Sequence, residues 1–91
     1  MTAREMFEEN GWEAQEGRLA YWKEDSHKIR WCISFLQSFW EIHFYAVNDD
    51  EEKWSVQYVG ALTPNDICAI VQQCYELGWI EEIENESQEC V

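Results

Sequence analysis

The sequence predicts an α+β domain of two layers, in the order α-β-β-β-β-α, with two helices on one face of a four-stranded antiparallel sheet. Two observations lead to this prediction. The stretch from Lys28 to Asn48 contains no Pro or Gly and is rich in the aromatic and β-branched residues that favour strands. Each end of the chain carries a segment with the start and stop signals of a helix.

The two central strands are predicted by an alternation of apolar side chains on either side of a break near Gln37-Ser38. The positions expected to face the core are Ile29, Trp31, Ile33 and Phe35 before the break, and Trp40, Ile42, Phe44 and Ala46 after it. Period-two alternation predicts antiparallel strands with one buried face. Similar stretches at 18–23 and 54–59 predict the outer strands, and short connections predict a meander.

The first helix is predicted over residues 3–10. Thr2 and Glu5 have the spacing of a capping box, in which each side chain accepts from the other residue's backbone N–H. Gly11 ends the helix, because glycine readily adopts the left-handed conformation at the position after the C-cap. A helix of about two turns is unstable alone, so we expect it to dock through Met6, Phe7 and Trp12.

The second helix is predicted over residues 64–77. Thr63 at the N-cap and Pro64 at the first helical position form a strong start signal. An apolar stripe with helical spacing follows, consisting of Ile67, Ile70, Val71, Cys74 and Leu77. We expect Ile70, Val71 and Leu77 to be buried against the sheet.

Residues 1–80 are predicted to form one domain, and residues 81–91 an acidic, flexible tail. The cysteines are Cys32, Cys68, Cys74 and Cys90, without CxxC or Cys/His metal spacing. We therefore predict reduced thiols, no metal and no cofactor. The sequence shows neither a secretory signal peptide nor a long apolar run, so we expect a cytoplasmic protein without a membrane span.

The charge of the chain is its most unusual property. Nineteen acidic residues face six basic ones, giving a net charge of −13 and a pI near 4.2. Direct binding to nucleic acid or to an anionic membrane is not expected, because both require a basic surface. A basic protein would be attracted. The simpler alternative is that the acidity serves solubility alone.

The acidic residues form clusters around the first helix, in the loop after the third strand, and in the tail. We expect the loop to be held more rigidly than the tail, so that its carboxylates lose less entropy on binding a partner. The residues predicted to bind a basic partner are Asp49, Asp50, Glu51, Glu52, Glu81, Glu82 and Glu84.

Two other surfaces offer alternatives. If both helices cover one sheet face, apolar residues on the other face stay exposed, and exposed apolar patches often mark contact surfaces. Trp22, Tyr45 and Val59 would then form a homodimer interface, with a site for a different partner and a merely tolerated aromatic surface as the alternatives. Glu41, His43 and Tyr45 share that face and could form an acid/base group, but no catalytic signature accompanies them, so we do not expect an enzyme.

Two segments carry a family resemblance. The opening TAREMFEENGW, from Thr2 to Trp12, and the ending ICAIVQQCYELGW, from Ile67 to Trp79, resemble a loose group of small, largely uncharacterised phage and prophage proteins of Gram-positive bacteria. The resemblance covers both helices and implies the α-β-β-β-β-α fold and a mobile-element origin. It implies no catalytic residues.

Together these features predict a non-enzymatic inhibitor that acts in the cytoplasm of a bacterial host cell. It would mimic nucleic acid and block the basic cleft of a host protein that handles DNA or RNA. Small acidic anti-CRISPR proteins fit this profile by analogy, and a Cas9-type effector is then the favoured partner. The alternative is a homo-oligomeric phage accessory or structural protein that uses the open sheet face.

Overall fold

A computed structural model describes residues 1–25, 27–55 and 62–81. The elements are α1 (Ala3–Glu9), β1 (Glu13–Ala14), β2 (Ala20–Glu24), β3 (Arg30–Leu36), β4 (Glu41–Val47), β5 (Lys53–Ser55) and α2 (Pro64–Glu76). This arrangement confirms the α+β class, with an antiparallel sheet and one helix towards each end of the chain. Within the described ranges, none of the helices is long and apolar enough to cross a membrane.

The strands form a meander in the order β1-β2-β3-β4-β5, and every neighbouring pair is antiparallel. The sheet has one strand more than predicted, because Glu13 and Ala14 pair with Trp22 and Tyr21 instead of lying in a polar connector. A strand of two residues is too short to show an alternation in the sequence. The part of the predicted fourth strand after Ser55 lies outside the described residues.

The register gives the sheet two distinct faces. Tyr21, Ile33 and Phe44 are aligned across β2, β3 and β4 on the face that both helices cover, called here the helix face. Trp22, Cys32 and Tyr45 are aligned one position along, on the opposite, open face. Alternation of side chains along each strand accounts for the separation.

Both helices begin where the capping signals predict. The Thr2 hydroxyl accepts from the Glu5 backbone N–H at 3.2 Å, and the Glu5 carboxylate accepts from the Thr2 N–H at 2.8 Å. Thr63 and Asp66 form the same reciprocal pair at the start of α2. Gly11 has a φ of 91°, as expected for the residue that ends the chain's first helical segment.

The core is a cluster of aromatic rings between α1 and the sheet. Phe7 is fully buried and stacks on Tyr21, with ring centroids 4.0 Å apart. Its ring makes T-shaped contacts with Trp12 and Phe35, with centroids 6.1 and 6.3 Å apart. Phe7 therefore anchors the short helix α1 as predicted, because one side chain contacts three other aromatic residues.

The orientation of α2 differs from the prediction. Its buried residues are Asp66, Cys68, Ala69 and Gln73, whereas Ile70 and Leu77 are only partly buried. The prediction that Val71 is buried is wrong, since this side chain is 46% exposed. Asp66 and Gln73 can face the core because Trp12 and Tyr21 donate hydrogen bonds to them, at 2.8 and 2.6 Å.

Two predicted core positions on the second central strand are also wrong. Trp40 is 66% exposed and Ile42 is 40% exposed. Trp40 lies in the turn before β4 with a φ of 56°, and its ring stacks on Trp79 with centroids 6.0 Å apart. The alternation of β4 begins only at Glu41, so Trp40 is outside the strand and does not follow its burial pattern.

The cysteines differ in state. Cys32 and Cys74 are free thiols, as predicted. Cys68 is disulfide-bonded, so the prediction that all four cysteines are reduced is wrong at this position. Cys90 lies outside the described residues.

We expect Cys32 to resist alkylation in the folded protein. Its side chain is buried, and burial raises the pKa of the thiol, so less of the reactive thiolate forms at neutral pH. Iodoacetamide should modify Cys32 rapidly only after unfolding, as measured by peptide mass spectrometry with and without denaturant. Equal rates in both conditions would place Cys32 at the surface.

Candidate protein-binding surfaces

The acidic loop between β4 and β5 is organised around Asn48. The Asn48 side-chain oxygen accepts from the backbone N–H groups of Asp50, at 2.9 Å, and Glu52, at 3.0 Å. Backbone bonds from Asn48 to Glu52 and from Glu51 to Asn48 close the turn. Four hydrogen bonds thus close the loop backbone.

The four carboxylates of this loop, those of Asp49, Asp50, Glu51 and Glu52, are exposed. Among the described residues, none of them forms an ion pair. These side chains therefore face solvent without an ion-pair partner in the part of the chain that the structure describes. This is the arrangement expected of a surface that attracts basic groups at a distance.

The structure describes the other predicted acidic residues only in part. Glu81 is exposed, while Glu82 and Glu84 lie outside the described residues. On α1, Glu8 pairs with Arg4 at 3.4 Å, and Glu5 is part of the cap. The hydrogen bonds from Thr2 lower the pKa of the Glu5 carboxyl.

The open face is covered by basic side chains of the same chain. Lys53 Nζ lies 4.1 Å from the centroid of the Tyr45 ring, and the Arg30 guanidinium lies 5.3 Å from that of Trp22. Tyr45 is only 9% exposed, and Trp22 is half-buried. Val59, the third residue of the predicted interface, lies outside the described residues.

Arg18 completes this covering layer by donating a hydrogen bond to the buried Ser34 hydroxyl. Three of the six basic residues of the chain, Arg18, Arg30 and Lys53, thus gather on one sheet face. Long basic side chains can cover apolar surface with their stems while their charged groups stay in water. The open face therefore offers less apolar area than the sequence predicts.

The acid/base group that the sequence could form is only partly assembled. Glu41 Oε2 and His43 Nε2 are 2.8 Å apart on the exposed surface. Tyr45 interacts instead with Cys32 and Arg18, and burial raises the pKa of its hydroxyl. In the described parts of the chain, no group of three or more His, Cys, Asp or Glu side chains could hold a metal ion.

A small aromatic pocket opens on the helix face, and sequence reasoning missed it. Trp12, Lys23, Asp25, Trp31 and Phe44 line this cavity of about 250 Å³. The residues come from the segment before β1, from β2 and the turn after it, and from β3 and β4. Strand pairing and the bond from Trp12 to Asp66 of α2 bring them together, so no local motif marks them.

A second aromatic surface lies at the opposite end of the sheet. Phe39 is 71% exposed beside Trp40, which stacks on Trp79. Ile80, which directly follows Trp79, is 44% exposed. Phe39 and Trp40 thus place exposed aromatic surface in the β3–β4 turn, whereas the acidic loop follows β4.

The chain was compared with family models, with curated proteins and with solved structures, and none of the three comparisons gave a match.

Proposed function

We propose that this protein is a non-enzymatic, acidic inhibitor from a phage or another mobile element, which binds a basic nucleic-acid-handling protein of a bacterial host. The observation that carries the proposal is the ordered acidic loop of Asp49, Asp50, Glu51 and Glu52. Four consecutive exposed carboxylates on a hydrogen-bonded turn form a compact array of negative charge. Such an array can take the place of backbone phosphates in a cleft lined by Arg and Lys.

The geometry of the loop favours binding for an entropic reason. Ordering a loop on association costs free energy, and this cost is smaller when the loop is already held in one conformation. The Asn48 side chain supplies that order by accepting two backbone N–H groups. The net charge of −13 adds a long-range attraction that speeds encounter with a basic partner.

The resemblance to small phage and prophage proteins supports a mobile-element origin, and the anti-CRISPR analogy makes a Cas9-type effector the favoured partner. The cleft of such an effector is positively charged because it holds nucleic-acid backbones. The protein would act in the host cytoplasm, bind no nucleic acid itself and need no cofactor.

Reversing two loop charges should weaken inhibition more than reversing two charges elsewhere. The loop variant is Asp50→Lys/Glu51→Lys, and the matched control is Glu9→Lys/Glu16→Lys. All four side chains are exposed, and each pair of reversals changes the net charge from −13 to −9. Two lost contacts of about 1 kcal/mol each would weaken binding by roughly 30-fold.

The measurement is inhibition of DNA cleavage by a Cas9-type enzyme at a series of salt concentrations. Circular dichroism should show that both variants are folded. Equal inhibition by the wild type and the loop variant would show that the loop does not bind. A wild-type protein that neither inhibits cleavage nor binds the enzyme at low salt would remove the Cas9-type partner.

The second candidate function is a homo-oligomeric accessory protein that uses the open face. Two exposed cations, Arg30 and Lys53, support it, because they could contact acidic groups of a second copy. The half-buried Trp22 beside Arg30 could add an apolar contact. Sedimentation at rising protein concentration distinguishes the two candidates, since only the second requires self-association.

A further inference from the structure

The aromatic pocket already contains a cation of the chain itself. Lys23 Nζ lies 4.7 Å from the centroid of the Trp12 ring and 4.0 Å from Asp66 Oδ2. The Trp12 side of the pocket thus holds an ammonium group between an aromatic face and a carboxylate. This is the pair of interactions by which proteins recognise organic cations.

The remaining residues of the pocket, Trp31, Phe44 and Asp25, repeat these chemical groups, and Lys23 is the cross-strand partner of Trp31. Trp31 and Phe44 form an aromatic wall, with ring centroids 5.8 Å apart and planes inclined by 33°. Trp31 Nε1 donates to Asp25 Oδ2 at 3.0 Å, so the carboxylate lies at the edge of the indole. Both rings are only partly buried, so part of the wall is accessible from solvent.

Asp25 is held in one position by its turn. Its Oδ1 atom accepts from the backbone N–H groups of His27, at 2.7 Å, and Ile29, at 3.1 Å. The hydrogen bond from Trp31, followed by those from Ile29 and His27, lowers the pKa of the carboxyl, which is therefore ionised at neutral pH. A carboxylate has about four acceptor positions, and these bonds use three.

The acidic loop reinforces the negative potential at this end of the sheet. Because β2 to β5 form a meander, the β2–β3 turn with Asp25 and the β4–β5 loop of residues 48–52 lie at the same end. Their centres are separated by about two strand spacings, or roughly 10 Å. This separation is comparable with the Debye length of about 8–10 Å, so screening is incomplete.

We propose that the aromatic pocket binds an alkylammonium or guanidinium group against Trp31 and Phe44, with Asp25 as its counter-ion. This inference goes beyond the proposed inhibitor function and does not rest on it. The volume of about 250 Å³ is below the range of about 300–1,000 Å³ typical of sites for drug-sized ligands, and it suits a single cationic group.

The same cationic group can come from a free small molecule or from a Lys or Arg side chain of a partner. Tetramethylammonium is the probe for the first source. Capped tripeptides with a central trimethyl-lysine or arginine are the probes for the second. Saturable binding of tetramethylammonium alone assigns a small-molecule site, whereas tighter binding of a tripeptide assigns a site for protein side chains. Each result supports the cation pocket.

The test is a titration of ¹⁵N-labelled protein followed through its indole N–H signals in NMR spectra. The indoles of Trp12 and Trp31 donate to Asp66 and Asp25, so both report directly on the pocket. Tetramethylammonium chloride should shift these signals saturably, and sodium chloride at the same concentration should not. Equal shifts with both salts, or no shifts with any cationic probe, would overturn the proposal.

Three variants make the test specific. Trp31→Leu should weaken binding of tetramethylammonium on the order of tenfold, while the matched change Trp40→Leu, at the other end of the sheet, should leave it unchanged. Lys23→Met should strengthen binding, because it removes a like charge from the pocket. Equal binding by the Trp31 and Trp40 variants would contradict the assignment.

The direction in which Lys23→Met changes binding also distinguishes a cation site from an anion site. If the pocket binds benzoate, and Lys23→Met abolishes this binding without strengthening that of tetramethylammonium, the proposal is wrong. Lys23 is 31% exposed, and the buried Asp66 keeps its bonds from Trp12 and Thr63 in the variant. The Lys23 test therefore remains decisive even if Trp31→Leu fails to fold.

Discussion

Phe7→Ala is expected to lower the free energy of unfolding by about 3–5 kcal/mol, the usual cost of truncating a buried phenylalanine. Phe7 is fully buried, stacked on Tyr21 and in edge contact with Trp12 and Phe35. Helix α1 has only seven residues and cannot be stable without docking. Loss of its main anchor should therefore detach the helix as well as leave a cavity.

Phe39→Ala is the matched control, because it removes the same atoms from a side chain that is 71% exposed. Its effect should stay within about 0.5 kcal/mol. Urea denaturation monitored by far-UV circular dichroism measures both variants. Similar midpoints for Phe7→Ala and the wild type would mean that Phe7 is not in the core. Phe44, which sequence reasoning placed in the core, is only partly buried, so we expect a smaller effect there.

Asp66→Ala is expected to cost about 2–4 kcal/mol. It leaves the buried Trp12 N–H without its acceptor, at about 1–3 kcal/mol, and breaks the capping box with Thr63, at about 1 kcal/mol. The Asp66 side chain is fully buried and receives the indole N–H at 2.8 Å. One carboxylate thus joins the start of α2 to the segment that follows α1.

Asp66→Asn separates the two contributions. Its amide oxygen can still accept from Trp12, but its amide nitrogen cannot accept from the Thr63 backbone N–H, so an intermediate loss is expected. The control is Asp50→Ala in the exposed acidic loop, which should change stability by about 0.5 kcal/mol or less. Thermal and urea unfolding should agree on this order. If Asp66→Ala proves as stable as Asp50→Ala, the buried bond to Trp12 does not exist in solution.

Local sequence determined the two helices of this protein and their ends. The capping boxes of Thr2 and Thr63 and the left-handed Gly11 depend on residues within a few positions of one another, so they can be read directly. The alternation in β3 likewise predicts that Ile33 and Phe35 are buried. The exposure of the acidic loop could also be predicted, because consecutive carboxylates between two strands are rarely buried.

Tertiary structure decided which face of α2 meets the sheet and what covers the open face. Hydrophobic periodicity favoured Val71 over Gln73, but Gln73 is buried because Tyr21 donates a hydrogen bond to it. Whether a buried polar group finds such a partner depends on residues distant in the chain.

The aromatic pocket and the basic side chains on the open face likewise depend on tertiary structure. Trp12, Lys23 and Trp31 look like separate strand or core residues in the sequence; strand pairing places Lys23 beside Trp31, and the bond from Trp12 to Asp66 of α2 holds the third residue there. Arg30 and Lys53 cover Trp22 and Tyr45 only because the register places them on one face. Sequence periodicity specifies the face of each residue within its own strand, whereas side-chain neighbours across strands are set by register, which the fold as a whole determines.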